Sequence, residues 1–543
     1  MFGRITQGAL RGLIAGGLTC LLAVALPVPA EAAIQRGTVY GTGGLGGAPG
    51  EVRAPEGIGV DPISGRIVLA DYSKSRISIF EPDGGFVLAF GKDVVPGGGT
   101  GPEVCTTSCK AGVDGSEAGE LNSPYEAEFS PSGKEIFVGE GSNGRVSVFS
   151  DEGIFLRAFG ADVIPGGGTG PEICTTTTTC KAGAYDGKGG SFAQVWPLTF
   201  GPDGLVYVAD SSAHRISVHQ PNGTWLRTFG KDVDAGGGSV FEVCSVSADC
   251  KVGVGDGSAG SLASPQGLDF DPAGRLWVNA SNTNQVQIIG TAPLAPVAAL
   301  GKDVVPGGAT GFESCNDPCQ AAPPGSGPGE LKNPNGLGVS ADGTAYAADP
   351  GNQRVNAYRG DLSFAFAIGA DVVPGGGVGF ETCTTICKAG LPNELTGFDY
   401  PYAVAVDCRG VVYVSSDIGN FVPARAHGEP GLQPGPCTLS AKVLRRNKRR
   451  GSANLAATVP YASDLTLTGK NIRKSSAEHS GLEGAEKLAI KPKGKLAKRL
   501  RRKGKAKVRV TVTMKPTDGN VAQTTKTKLK LKQKQKRRRR SAA

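Results

Sequence analysis

One feature constrains this chain more than any other: a segment that returns at intervals of 68 to 71 residues. Phe90-Gly91-Lys92-Asp93-Val94 recurs as Phe159 to Val163, Phe229 to Val233, Leu300 to Val304 and Ile368 to Val372. Such a period belongs to architectures that stack copies of one supersecondary unit, because a single copy cannot bury its apolar face alone. The first period contains four short runs rich in β-branched and aromatic residues: Pro55 to Asp61, Ile67 to Asp71, Arg76 to Phe80 and Phe86 to Phe90. Gly, Pro, Asp and Ser punctuate them, which predicts four short strands joined by tight turns. A four-stranded meander copied around an axis is a propeller blade. Copies start at Pro55, Pro124, Val195, Pro265, Pro334 and Pro401, so six blades are expected. The sixth has no fourth run after Ala426, whereas Thr38-Val39-Tyr40-Gly41 precedes the first copy where a fourth strand would stand. That strand is predicted to pair into the sixth blade and close the ring, which removes exposed sheet edges.

The order Pro-x-Gly-Ile-x-Val-Asp, Val-Ala-Asp, Arg-Ile-x-Val and Phe-Gly, running from Gly37 to Glu429, resembles the NHL repeat. The resemblance implies an all-β fold, a six-bladed NHL propeller. Related six-bladed propellers include a peptide-amidating lyase that relies on metal-binding histidines and calcium-dependent lactonases that use a central acid–amide cluster. Here the propeller carries only His214, His219 and His427, while His479 lies in the tail. His214 and His219 flank one predicted strand and are expected at the surface. Glu56, Gln266 and Asn335 would make a partial acid–amide set. The Gly-Gly-Gly-Thr-Gly runs lack the Lys-Ser/Thr of a P-loop, and no serine elbow or paired-histidine metal motif occurs. No catalytic residue, metal site or cofactor is therefore assigned. A binding or scaffolding role is expected, with a lactonase-like or amidating-lyase-like hydrolase or lyase at the axial mouth as the alternative, since fold does not fix function.

An internal covariation supports the register. Asp71 and Arg76, Glu140 and Arg145, Asp210 and Arg215, and Asp349 and Arg354 share one spacing. Both partners are missing together in copy four (Ala280, Gln285) and in copy six (Ser416, Phe421). Loss of one member alone would strand a charge, so a structural acid–arginine pair is expected at the hairpin between the second and third strands; ligand binding by the acids is the other reading.

About thirty residues separate the first five blades from their successors, far more than an ordinary connection. Each insert carries a cysteine pair: Cys105 and Cys109, Cys174 and Cys180, Cys244 and Cys250, Cys315 and Cys319, Cys383 and Cys387. With Cys408 and Cys437 these predict six disulfides in an oxidising compartment; zinc is the rival reading, disfavoured by the spacing and the lack of nearby histidine. Strand alternation places all five inserts on one face, a crown. The residues after the first-strand starts, Glu56, Tyr125, Trp196, Gln266, Asn335 and Tyr402, face that crown near the axis. They are candidate contacts for a sugar or a peptide, or else they pack the insert bases.

The N-terminal residues 1–32 read as a secretory signal: Arg4 and Arg11, an apolar run from Leu13 to Leu26 holding Cys20, then Ala30-Glu31-Ala32. No second apolar span follows, so no transmembrane span is expected after cleavage, and the protein is expected to be secreted or attached to the cell envelope. Charge divides sharply. Residues 441–543 hold 32 Lys and Arg against 5 Asp and Glu, a net charge of +27, whereas residues 1–440 hold 26 against 44, a net charge of −18. Domains are expected at 33–440 (propeller), 441–453 (basic linker), 454–534 (an Ig-like β-sandwich, from its alternating pattern) and 535–543 (basic tail). The expected partners are a protein, peptide or glycan at the insert face and an anionic envelope polymer at the basic tail. No base-reading motif points to a specific nucleic acid. Cys408 and Cys437 are expected to bridge where the chain leaves the ring, hanging the C-terminal module on the face away from the crown.

Overall fold

The structure, a computed structural model, describes residues 36–40, 47–176, 179–392, 397–416, 422–426, 439–447, 449–459, 463–479, 484–516 and 523–534. Six antiparallel sheets follow the six sequence copies. In the first, Pro55–Val60, Ile67–Asp71, Arg76–Phe80 and Phe86–Lys92 pair in chain order. The first strands neighbour one another in a cycle, from Pro55–Val60 through Pro124–Phe129, Val195–Phe200, Pro265–Phe270, Leu337–Val339 and Pro401–Val406 back to Pro55–Val60. This is a β-propeller. Close approach at the hub requires glycine: a Cβ on Gly57 would lie 2.5 Å from the Glu126 Cα, and one on Gly336 equally near the Ala403 Cα. In the last sheet the order is Pro401–Val406, Val411–Ser416, Val422–Ala426 and then the N-terminal strand Arg36–Tyr40, which pairs antiparallel with Val422–Ala426.

The inserts are more ordered than their glycine content suggests. Each begins with a fifth, outermost strand that the sequence reading missed: Pro102–Cys105, Pro171–Thr175, Phe241–Cys244, Phe312–Cys315 and Phe380–Cys383. Four or five residues beside a Gly-Pro cluster show too little alternation to betray a strand. The hairpin explains the repeated Asp-Val-x-Pro-Gly-Gly. Asp93, Asp162, Asp232, Asp303 and Asp371 all sit in the left-handed region, φ 49° to 55°, which aspartate tolerates better than most residues. Four of them pair with the lysine after the second cysteine, as in Lys110–Asp93 at 2.7 Å. The following valines, Val94, Val163, Val233, Val304 and Val372, are fully buried against the cysteine pairs. All five pairs stand at disulfide geometry, with Cα separations of 5.5 to 5.7 Å. Beyond each disulfide the chain docks onto the hairpin between its own second and third strands, Gly112 N–H donating to the Lys74 carbonyl at 2.9 Å and Gly390 N–H to that of Asn352 at 2.8 Å.

The four acid–arginine pairs are ion pairs of 2.8 to 3.3 Å between fully buried side chains. Each arginine does more than brace its hairpin. Arg354 donates to the carbonyls of Ser326, Gly327 and Glu330 in the preceding insert and to Lys388 in its own, so it staples successive inserts together. In copy four the neutral amide of Gln285 makes the same two links, to Gly257 (3.1 Å) and Gln320 (2.7 Å). A neutral donor needs no counter-charge, which is why Ala280 suffices where the other copies carry an acid. Phe421 lies outside the described residues; Ser416 donates to the Asp399 carbonyl.

The C-terminal region forms two sheets around one apolar core. One contains Ser440–Asn447, Ser452–Val459 and Gly484–Ile490; the other Ser475–His479, Ser463–Thr468, Lys505–Pro516 and Gln523–Lys532. The expected linker at 441–453 is corrected by this pairing. Ala441 and Val443 point toward the core while Lys442 and Leu444 face out, and the basic run concealed that alternation. Asn447 accepts from the Arg449 and Arg450 amides to turn the hairpin. A basic helix, Gly494–Lys503, was not expected; it is pinned by Leu500 in the core and ends at Gly504 in the left-handed region. Cys408, in the turn between the first two strands of the sixth sheet, is disulfide-bonded and packs against this same core. Its expected partner Cys437 lies outside the described residues, as do the expected signal and the 535–543 tail.

Candidate ligand-binding mouth

Each first-strand segment starts on the crown face, and in five of the six sheets the residue after the start of the first strand sits in an irregularity of the pairing with the second strand, whereas in the fifth Asn335 precedes the regularly paired Leu337–Val339. That irregularity turns the side chain toward the axis. Three of the six candidates meet there. Tyr125 and Trp196 have ring centroids 4.9 Å apart, and Trp196 stacks with Tyr402 at 6.0 Å, although their sheets are the second, third and sixth. Two rings not anticipated extend the group. Tyr72, after the buried Asp71, lies 4.9 Å from Tyr125, and Tyr400 lies 6.5 Å from Tyr402. The five rings form a continuous aromatic band over the mouth. Tyr400 is exposed at its end (36%), Tyr72, Tyr125 and Trp196 are half-buried, and Tyr402 is buried.

Tyr400 carries a signal of its own. It adopts φ 56°, and the corresponding residues before the first strands in other copies, Ala54, Ser123, Ser264 and Asn333, share that left-handed conformation. These are small residues or an asparagine; a bulky ring there is strained and persists only where surroundings hold it. The Tyr400 N–H donates to Gln353 Oε1 at 2.6 Å.

The remaining candidates are placed differently. Glu56 is buried beside Tyr125, whose phenol is pushed well above its ordinary pKa by burial, by its hydrogen bond with Tyr72 and by the Glu56 charge. Gln266 is half-buried and donates to Ser264 Oγ at 3.4 Å. Asn335 is buried, and its carbonyl accepts from Asn279 Nδ2 at 2.6 Å.

Below the band, the first strands carry carboxylates that the repeat pattern concealed, because Glu126, Glu128 and Asp269 replace its small or variable positions. Asp269 Oδ2 accepts from the Val339 N–H at 2.7 Å and Oδ1 from Thr199 Oγ1 at 3.4 Å, so one side chain links the third, fourth and fifth sheets. Burial pushes the Asp269 carboxyl up to about 6. Burial likewise holds Glu126 and Glu128 well above the carboxylate range, and Glu128 is raised further by Glu126 and Asp269. Among the described residues no group of three or more His, Cys, Asp or Glu side chains is arranged to hold a metal. The expected surface position of His219 is corrected: it is fully buried, its ring tilted against those of Phe159 (4.8 Å) and Phe192 (5.6 Å), and burial lowers its pKa to about 4. His214 is half-buried and accepts from the Ser264 N–H at 3.0 Å.

No family model and no curated protein matches the chain. Several solved structures resemble it in fold. A virginiamycin B lyase from Staphylococcus aureus is 11% identical with a TM-score of 0.37, covering 72% of this chain and 98% of that one. A gluconolactonase from Xanthomonas campestris is 11% identical with a TM-score of 0.34 (74% and 99% covered). The aldose sugar dehydrogenase of Streptomyces coelicolor is 14% identical with a TM-score of 0.36 (73% and 99%).

Proposed function

We propose that this protein is an exported binding or scaffolding module: a six-bladed propeller of the NHL kind, closed by its N-terminal strand, that recognises a peptide, glycan or protein through its crown and carries an Ig-like basic module. The observation that carries the reading is the aromatic band at the mouth. Partly exposed rings drawn from the first, second, third and sixth sheets present flat apolar surface at one place. Such a surface suits the apolar face of a sugar ring or a proline-rich or aromatic peptide, while loops held on a rigid scaffold supply variable polar contacts. The strain at Tyr400 favours this reading over simple packing of the insert bases. Five disulfides favour an extracellular setting.

The test uses the full chain against a glycan array and a library of proline- and aromatic-rich peptides. Trp196→Ala and Tyr400→Ala should weaken any retained ligand at least tenfold with little change in thermal midpoint. Unchanged affinity, or a lowered midpoint in both variants, would return the rings to a packing role. The hydrolase or lyase reading draws on Glu126, Glu128 and Asp269 below the mouth. It predicts turnover of a lactone or ester panel that Glu128→Gln abolishes.

A further inference from the structure

Lys505–Pro516 and Gln523–Lys532 form a long hairpin whose two faces differ completely. Ala506, Val508, Val510, Val512, Met514, Leu529 and Leu531 are buried in the core. At one end of the hairpin the alternate residues are exposed, and their register sets like charge against like charge: Lys505 opposite Lys532, Lys507 opposite Lys530, and Arg509 opposite Lys528. Among the described residues no carboxylate lies within ion-pair distance of these six side chains. Directly opposed like charges destabilise a sheet. The buried partners forbid relief, because a one-residue slip would expose the whole core face. The neighbouring strand Ser463–Thr468 pairs only with Thr511 to Pro516, so the cationic part of the hairpin runs on beyond it. The outer face of the other sheet is diluted, with Asn454, Ala456 and Ala489 among its cations.

We infer that this face binds a linear phosphodiester polymer of the cell envelope. Cations recur every second residue, about 7 Å apart along each strand, in two rows roughly 5 Å apart. A regular double row matches a chain of repeating single charges rather than one compact anion. Five of the six side chains are lysines, point charges suited to phosphate; planar carboxylates would favour arginine forks. The hairpin from Lys505 to Lys532 contains no Phe, Tyr, Trp or His, so this face offers no platform for base stacking. Recognition is ionic and follows counterion release. The hairpin lies in the C-terminal module, apart from the mouth, and its binding does not depend on the propeller's ligand.

The experiment measures binding of the full chain to immobilised poly(glycerol phosphate) across a salt series. Polygalacturonate and a mixed-sequence single-stranded oligonucleotide serve as competitors. The variant Lys507→Gln/Arg509→Gln/Lys528→Gln/Lys530→Gln should lose at least a hundredfold in affinity at low salt. Its slope of log affinity against log salt should shrink by about 3. Its thermal midpoint should hold or rise, since repulsion is removed. A charge-matched control away from the hairpin, Lys442→Gln/Arg446→Gln/Lys487→Gln/Lys491→Gln, should lose less than tenfold, and Trp196→Ala should lose nothing. Equal losses in the two quadruple variants would show that net charge alone binds and would overturn the assignment. So would tighter binding of polygalacturonate or of the oligonucleotide than of the phosphate polymer.

Discussion

In the propeller, Arg145 is fully buried, paired with Glu140 at 2.8 Å, and donates to four backbone carbonyls of two inserts. In the C-terminal module, Lys507 and Lys530 face each other across a hairpin with no acid within ion-pair distance among the described residues. The first arrangement spends charge on cross-linking loops that have little apolar core of their own. The second leaves charge unsatisfied at a cost to the fold. Buried charge must be compensated within the chain, whereas exposed charge can wait for a partner, so uncompensated rows at a surface are where an external anion is to be sought.

The comparison breaks first at the staples. Arg215→Ala would strand the buried Asp210 and release the carbonyls of Gly187, Lys188, Ser191 and Lys251, and should cost about 3–5 kcal/mol in urea unfolding. The double change Asp210→Ala with Arg215→Gln rebuilds the combination found in the fourth sheet and should cost less than half as much. If the two are equally damaging, the acid–arginine covariation has some other cause.

A smaller effect concerns acids that lack an arginine. Asp269 titrates near 6 when folded and, unfolded, near its ordinary 3.8. The folded form holds its proton more tightly, so that contribution to stability is complete below about pH 4 and is lost as pH rises through 6. Asp269→Asn should therefore stabilise the propeller by about 3 kcal/mol at pH 8 and hardly at all at pH 4. A pH-independent difference in melting would show that the hydrogen bonds to Val339 and Thr199, not the buried charge, dominate.

The smallest effect sharpens the other side. Lys530→Glu replaces one opposed like pair by an opposite pair and should stabilise the C-terminal module by about 0.5 kcal/mol at low ionic strength, fading in 1 M salt. Destabilisation would mean that Lys507 and Lys530 do not share a face.

The repeat, the strand runs and the covarying acid–arginine positions were legible in the sequence because each rests on local chemistry copied at a fixed interval. The cysteine pairs are equally local, with partners 4 or 6 residues apart. Other features were not legible. The insert strands are too short to show a period. The strand at Ser440–Asn447 was masked by its basic residues, although Lys442 points outward between the inward Ala441 and Val443. His219 looked like a surface residue because nothing beside it in the chain announces that Phe159 and Phe192 close over it. The mouth divides along the same line. The sequence determined which residues stand at the start of each first strand, since strand direction alone assigns them to the crown. Only the tertiary structure decided that Tyr125, Trp196 and Tyr402 touch, while Gln266 bonds to Ser264 two residues away and the Asn335 carbonyl bonds to Asn279 of the neighbouring sheet, because contact across the hub depends on how six sheets converge, and no single copy contains that information.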